Sequence, residues 1–175
     1  LYVVYREGIS AGTGESKILK YDVSPSGLST ASTLATSTTE YWEPSEVELT
    51  HDMDKLIFVR PKHIAEMGAD NTNDLNIVSL DASTGDIIGS GITNTFDLGP
   101  TNSTDDKYIG LELDLSGNNA YVVQEDNKII RVELSSGQEN QLQNNDLVYN
   151  SQLERARDGN IYAVKSDGKV YRIIE

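Results

Sequence analysis

The sequence predicts an all-β chain arranged as a β-propeller, with about four blades of four antiparallel strands. Three observations carry this. An apolar, β-prone tetrad recurs as Leu1-Tyr2-Val3-Val4, Leu56-Ile57-Phe58-Val59, Ala120-Tyr121-Val122-Val123 and Ile161-Tyr162-Ala163-Val164. A strand and a tight turn stand before three of the four tetrads, and no segment sustains an apolar 3.6-residue period. A meander repeated every 40 to 50 residues or so is the mark of a propeller, because one such unit cannot bury its apolar faces alone.

The clearest copy is Leu111 to Gly137. Leu111, Leu113 and Leu115 alternate with Glu112 and Asp114, the period of two of a strand with unlike faces. Ser116-Gly117-Asn118-Asn119 tolerates the backbone angles of a reversal, and Ala120 to Val123 follows as a second strand. Gln124-Glu125-Asp126-Asn127 turns the chain into a third strand, Ile129 to Leu134, closed by Ser135-Ser136-Gly137.

In chain order, the first copy lacks the strand before its tetrad. Its third strand is Lys17 to Val23, its turn Ser24-Pro25-Ser26-Gly27, and an outer strand is expected at Leu28 to Leu34. The second copy has Val47-Glu48-Leu49, a turn at His51-Asp52-Met53-Asp54, the tetrad, a third strand at Leu75 to Leu80, and an outer strand at Ile87 to Thr95. The outer strand of the third copy is Gln138 to Leu142. The fourth copy runs from Leu153-Glu154-Arg155 through the Arg157-Asp158-Gly159-Asn160 turn to a third strand at Lys169 to Ile174.

These boundaries divide a single domain into a partial blade 1–40, blades 41–98 and 108–145, and a partial blade 150–175. At 175 residues the chain is long enough to bury about 70% of its surface. A propeller closes by pairing strands from both termini in one blade. Pairing the first and last segments would crowd that blade, so the expectation is a portion of a larger ring rather than a closed four-bladed one.

The 14 Lys and Arg against 28 Asp and Glu, a formal charge of -14, exclude nucleic acid as a partner and oppose an anionic membrane surface. Cysteine is absent, which removes disulfides, thiol nucleophiles and thiolate metal sites. No apolar run reaches the roughly 20 residues that span a bilayer. The chain opens on Leu1-Tyr2-Val3-Val4 without a basic segment, so an export signal is expected to have been removed; the wealth of Ser, Thr, Asn, Asp and Gly suits a secreted, periplasmic or cell-surface protein.

The phrases Leu111 to Val123 and Leu153 to Val164 resemble the repeat of YVTN-type bacterial β-propellers, and are similar in particular to secreted surface propellers of the gliding-motility-associated type. The resemblance implies an extracytoplasmic interaction module and names no partner. Asp52-Met53-Asp54-Lys55 departs from the Asp-Gly turn of that repeat, as do the long insertions at Gly8–Glu15 and Ile64–Asp74.

Glu48, Glu112 and Glu154 share one repeat position on the innermost strand. A ring of carboxylates there can hold a hard cation such as Ca²⁺; equally, each can accept hydrogen bonds from the next blade. Asp70, Asn71 and Asp74 lie in an oxygen-rich stretch, Ala69 to Asp74, that reads as a Ca²⁺-like or a solvated loop without the EF-hand pattern, and Asn102 to Asp106 reads likewise. Tyr41-Trp42 can stack on a sugar or anchor a partner, or pack between blades.

The two histidines, His51 and His63, are not placed to suggest a Ser-His-Asp relay. No phosphate loop or dinucleotide fingerprint is present, and Gly8 to Gly14 joins two strands. No organic cofactor is implied. The first reading is a non-enzymatic binding or scaffolding module presenting loops to a protein or glycan, or to the remainder of its own ring. The second is a propeller-type lyase or hydrolase with a cation-assisted site near the axis, and the third a structural spacer. Carboxylates converging with a histidine on an open pocket would favour the second; carboxylates held in filled contacts between blades would not.

Overall fold

A computed structural model describes residues 1–7, 15–37, 46–60, 72–89, 91–100, 108–124, 129–142, 152–164 and 168–173, and every described element is a strand. The first sheet holds β1 (Tyr2–Glu7), β2 (Glu15–Lys20) and β5 (Ser32–Ser37), with a small hairpin of β3 (Val23–Ser24) and β4 (Gly27–Leu28) between the last two. The second is a four-stranded meander of β6 (Val47–Leu49), β7 (Lys55–Arg60), β8 (Thr72–Ser79) and β9 (Asn94–Pro100). The third repeats it with β10 (Tyr108–Leu113), β11 (Asn119–Gln124), β12 (Ile129–Glu133) and β13 (Glu139–Leu142). The fourth holds β14 (Gln152–Arg155), β15 (Ile161–Val164) and β16 (Val170–Arg172). All pairings are antiparallel.

The tetrads are continuous apolar runs because each central sheet is buried on both faces. Leu56 and Phe58 pack with Val4, Ile18 and Ala35 of the first sheet, whereas Ile57 and Val59 pack with Leu111, Leu113, Ala120 and Val122 of the third. The third sheet repeats the division: Ala120 and Val122 face the second sheet, and Tyr121 and Val123 face Leu153, Ile161 and Ala163 of the fourth. First and third tetrad residues thus face the preceding blade, and second and fourth the following one. Three cores fill three seams. Phe58, with no exposed surface, contributes on the order of 2–3 kcal/mol of burial to the first of them.

Tight turns join the first strand of a blade to the second and the third to the fourth, all on one edge. In the former, Asp114 Oδ1 accepts the backbone N–H of Asn118 at 3.0 Å, and Asn119 Nδ2 donates to Asp114 Oδ2 at 2.7 Å. Burial pushes the Asp114 carboxyl up, but the hydrogen bonds from Asn119, Ser116 and the backbone together outweigh it and hold its pKa below the usual carboxylate value. Met53 stands at φ 59° where the equivalent Gly117 and Gly159 stand at 68° and 85°, so the departure from the Asp-Gly turn keeps the glycine geometry without the glycine.

In the latter turns, Gly85 and Gly137 accept φ of 70° and 73° and leave room for an aromatic of the preceding blade. A Cβ on Gly85 would lie 2.5 Å from Tyr2 Oη, which donates to the Gly85 carbonyl at 2.8 Å. One on Gly137 would lie 2.4 Å from the Phe96 ring.

Two outer strands differ from expectation. The first blade's is Ser32–Ser37, not Leu28 to Leu34, because the chain spends Val23 to Leu28 on the β3–β4 hairpin before returning to β2. The second blade's is Asn94–Pro100, not Ile87 to Thr95: Ile87 makes only an isolated bridge to Leu80, and Gly89 and Gly91, at φ 91° and 131°, interrupt the run. The β-propensity of Phe96 and Leu98, both packed into the second seam, decides the register.

Candidate functional site

The innermost strands β6, β10 and β14 pack side by side, which brings the candidate glutamates together. Leu111 and Leu113 point into the second seam, so Glu112 between them projects towards the fourth blade. There its Oε2 accepts the backbone N–H of Arg155 at 2.9 Å, and its Oε1 accepts that of Leu113 at 3.0 Å. The Arg155 Nε lies 3.9 Å from the same Oε1, and Arg155 Nη1 donates to the Asp114 carbonyl at 3.1 Å. At 7% exposure, this carboxylate is bound into a filled contact between blades.

Glu46, which sequence reasoning missed, does the same one seam earlier: its Oε2 accepts the backbone N–H of Leu111. The signal was the spacing Glu46-x-Glu48, which places both carboxylates on one face of a strand. Burial pushes the Glu46 pKa up against the Leu111 hydrogen bond, and the charges of Glu112 and Glu154 add to the rise.

Glu48 occupies the repeat position of Glu112 but lacks its partner. The repeat would give it the N–H of Leu113, which is already donated to Glu112 Oε1. Half-buried, Glu48 makes no hydrogen bond or ion pair among the described residues, and burial, then Glu112 and Glu46, push its pKa up to about 7 against the opposing pull of Arg155. Glu154 is exposed, and its charge reaches both Glu46 and Glu48. The result is four carboxylates and one guanidinium on three adjacent inner strands, with one carboxyl poised to exchange a proton near neutrality.

Among the described residues no group of three or more His, Asp or Glu is arranged to hold a metal ion. Of the loop candidates, Asp74 is a strand residue of β8, opposite Arg60 and Asp97, rather than part of a loop; an oxygen-rich segment lost its loop reading where β8 pairing begins at Thr72. Asp70, Asn71, Tyr41, Trp42, His63, Gly8 to Gly14 and Asn102 to Asp106 lie outside the described residues. His51 is exposed in the turn after β6. No described helix is long and apolar enough to cross a membrane.

Two cavities of about 320 Å³ each open at seams on the tight-turn edge. One, between the third and fourth blades, is lined by Asp114, Tyr121, Asn160 and Arg172. The other, between the first and second, is lined by Tyr21, Asp22, Val23, Leu49, Met53 and Ala82 among others.

Repeated meanders that share their walls are also found in solved structures similar to this chain. One is Hsv2 of Kluyvelomyces marxianus, at 13% identity and a TM-score of 0.54, covering 94% of this chain and 46% of that one. Another is the C-terminal WD40 domain of Sif2, at 14% identity and a TM-score of 0.52, covering 99% and 43%. The fold is a β-propeller. A protein of unknown function from Bacteroides thetaiotaomicron is similar as well, at 12% identity and a TM-score of 0.50, covering 97% and 42%. The chain spans less than half the length of each of these proteins, and at such identities the likeness concerns the fold alone. Neither known protein families nor curated proteins yield a match.

Proposed function

We propose that this propeller is a non-enzymatic binding or scaffolding module, working outside the cytoplasm in the manner of the YVTN-type surface propellers that its repeat resembles. The observation that carries the reading is the use of the inner-strand carboxylates: Glu112 and Glu46 accept backbone N–H groups of the next blade and so serve as latches between blades. Acids spent on inter-blade hydrogen bonds stiffen a platform. Its partner is a protein or glycan, with Tyr41 and Trp42 as the aromatic contacts and the remainder of a larger ring as a further neighbour. Ca²⁺ as a stiffening ion belongs to the same proposal.

One observation favours the alternative of a lyase or hydrolase: the Glu48 carboxyl, pushed up to about 7, suits a general base. The two readings separate in one experiment. The purified chain is titrated against isolated bacterial envelope glycans and surface proteins, and assayed for turnover of lactone, ester and polysaccharide substrates. The module reading expects saturable binding that Glu48→Gln leaves intact; turnover abolished by Glu48→Gln overturns it.

A further inference from the structure

Leu1, Val23, Leu28, Met53, Ile88 and Leu115 are exposed apolar side chains on the tight-turn edge of the blades or the connections on it. Met53 and Val23, 52% and 69% exposed, converge with Tyr21 and Ala82 on the 320 Å³ cavity at the seam of the first and second blades. Exposed apolar groups gathered around a cavity of that size suit a site that takes a side chain.

The cavity wall carries two engaged cations, Lys20 and the Leu1 ammonium, which donates to the Tyr21 carbonyl at 2.9 Å. Lys20 reaches into it but is committed, at 2.9 Å from Asp86 Oδ1 and hydrogen-bonded to the Thr84 carbonyl. Asp22, on the cavity wall, makes no side-chain hydrogen bond or ion pair among the described residues. Beyond it stand Asp52, whose hydrogen bonds with Thr50 and Asp54 hold its carboxyl below the usual range, and Asp81, held down by Ser83 and Thr84. The hydrogen bonds to Asp52 and Asp81 favour their charged forms. With both cations of the wall engaged, an apolar slot bordered by Asp22 and the acidic turns is complementary to an apolar side chain flanked by cations.

Resting on the reading of the chain as a binding module, we infer that the seam between the first and second blades, on the tight-turn edge, docks a protein segment in which one aliphatic residue lies between lysines or arginines. The aliphatic side chain enters between Met53 and Val23, and its cationic neighbours meet Asp22 and the acidic turns. Such a contact adds affinity through the buried apolar group and register through the charges.

The test uses NMR of the whole chain with labelled Met and Ala methyls. The probes are capped peptides Gly-Lys-Leu-Lys-Gly, Gly-Lys-Ser-Lys-Gly and Gly-Glu-Leu-Glu-Gly. The expected result is a saturable shift of the Met53 and Ala82 methyls with the first peptide, at least tenfold weaker with the other two. Met53→Gly, which suits the backbone at φ 59° and therefore folds, is expected to weaken the first peptide at least tenfold, and Asp22→Asn to weaken it severalfold while flattening its salt dependence. Equal binding of the serine peptide, or shifts spread over the acidic surface, would show a diffuse charge effect and overturn the inference, as would an unmoved Met53. A glycan or envelope protein that binds with Met53 and Ala82 undisturbed overturns the seam alone; substrate turnover dependent on Glu48 overturns the module reading beneath it.

Discussion

Replacing Glu112 by alanine removes the carboxylate that joins the third blade to the fourth. Its Oε2 accepts the Arg155 N–H at 2.9 Å from a side chain only 7% exposed, a charge-assisted bond worth about 1.5–3 kcal/mol. The one buried methylene lost, Cγ, adds about 0.8 kcal/mol. Against this, deleting the charge relieves the crowding of Glu46 and Glu48, on the order of 1 kcal/mol between half-buried groups. The net loss is about 2 kcal/mol for Glu112→Ala. Glu112→Gln keeps a carbonyl acceptor for Arg155 and costs about 1 kcal/mol. Urea unfolding reads both: with a slope near 2 kcal/mol/M, the midpoint falls by about 1 M for alanine and about 0.5 M for glutamine, at unchanged slope. Removing the Glu112 charge is also expected to lower the Glu48 pKa, visible in its carboxyl carbon shift. An alanine variant within 0.5 kcal/mol of the parent, or one indistinguishable from the glutamine variant, would refute the latch.

Other outcomes follow from the same geometry. The Glu48 pKa is raised from 4.5 to about 7, so its protonated form is favoured by folding: the stabilisation is full below pH 4.5 and lost as pH rises through 7. About 2.5 pH units at 1.36 kcal/mol each give about 3 kcal/mol, reduced to on the order of 1–2 kcal/mol by water reaching a half-buried group. Glu48→Gln is therefore expected to flatten thermal stability between pH 5 and 8 and to stabilise the chain at pH 8; an unchanged profile would discount the site. Gly137→Ala sets a Cβ 2.4 Å from the Phe96 ring and is expected to cost about 3–4 kcal/mol, while Gly168→Ala, with similar φ and nothing within 4 Å, costs only about 1–2 kcal/mol of backbone strain. Equal losses in denaturant unfolding would count against the aromatic packing at that turn. Met53→Gly relieves a left-handed backbone at φ 59° and is expected to gain about 0.5–1 kcal/mol, raising Tm by a few degrees; a loss would contradict the assigned turn.

Strands buried on both faces were legible because they admit few residues. Leu56-Ile57-Phe58-Val59 has no polar position, since both its neighbours are other blades, and that unbroken run repeats. The tight turns were legible for a related reason, as Asp114 and Gly117 supply the acceptor and the positive φ that the reversal requires. The third blade's outer strand, expected at Gln138 to Leu142, lies at Glu139–Leu142, but those of the first two blades were misplaced, because a strand packed on one side tolerates polar residues: Ser32–Ser37 and Asn94–Pro100 look no more strand-like than their flanks. Contacts between blades, such as Tyr2 on Gly85, join residues 83 apart and leave no local trace.

The candidate site was half legible. Periodicity placed Glu48, Glu112 and Glu154 at one repeat position, but not their unlike fates. Those depend on which amide is free: Arg155 N–H reaches Glu112, while the equivalent Leu113 N–H is taken and leaves Glu48 to the field of its neighbours. Glu46 escaped because its repeat counterpart is Gly110, which breaks the pattern at the residue before the strand becomes regular.

The shared walls between successive blades are tested most directly by methyl and aromatic NOEs on labelled chain. Contacts of the Phe58 ring with Ile18, of Ile57 with Leu113, and of the Tyr121 ring with Ala163 are the predicted result, one for each seam. A Phe58 ring in contact with Ile161 or Ala163 instead, as in two sheets folded face to face, would contradict it.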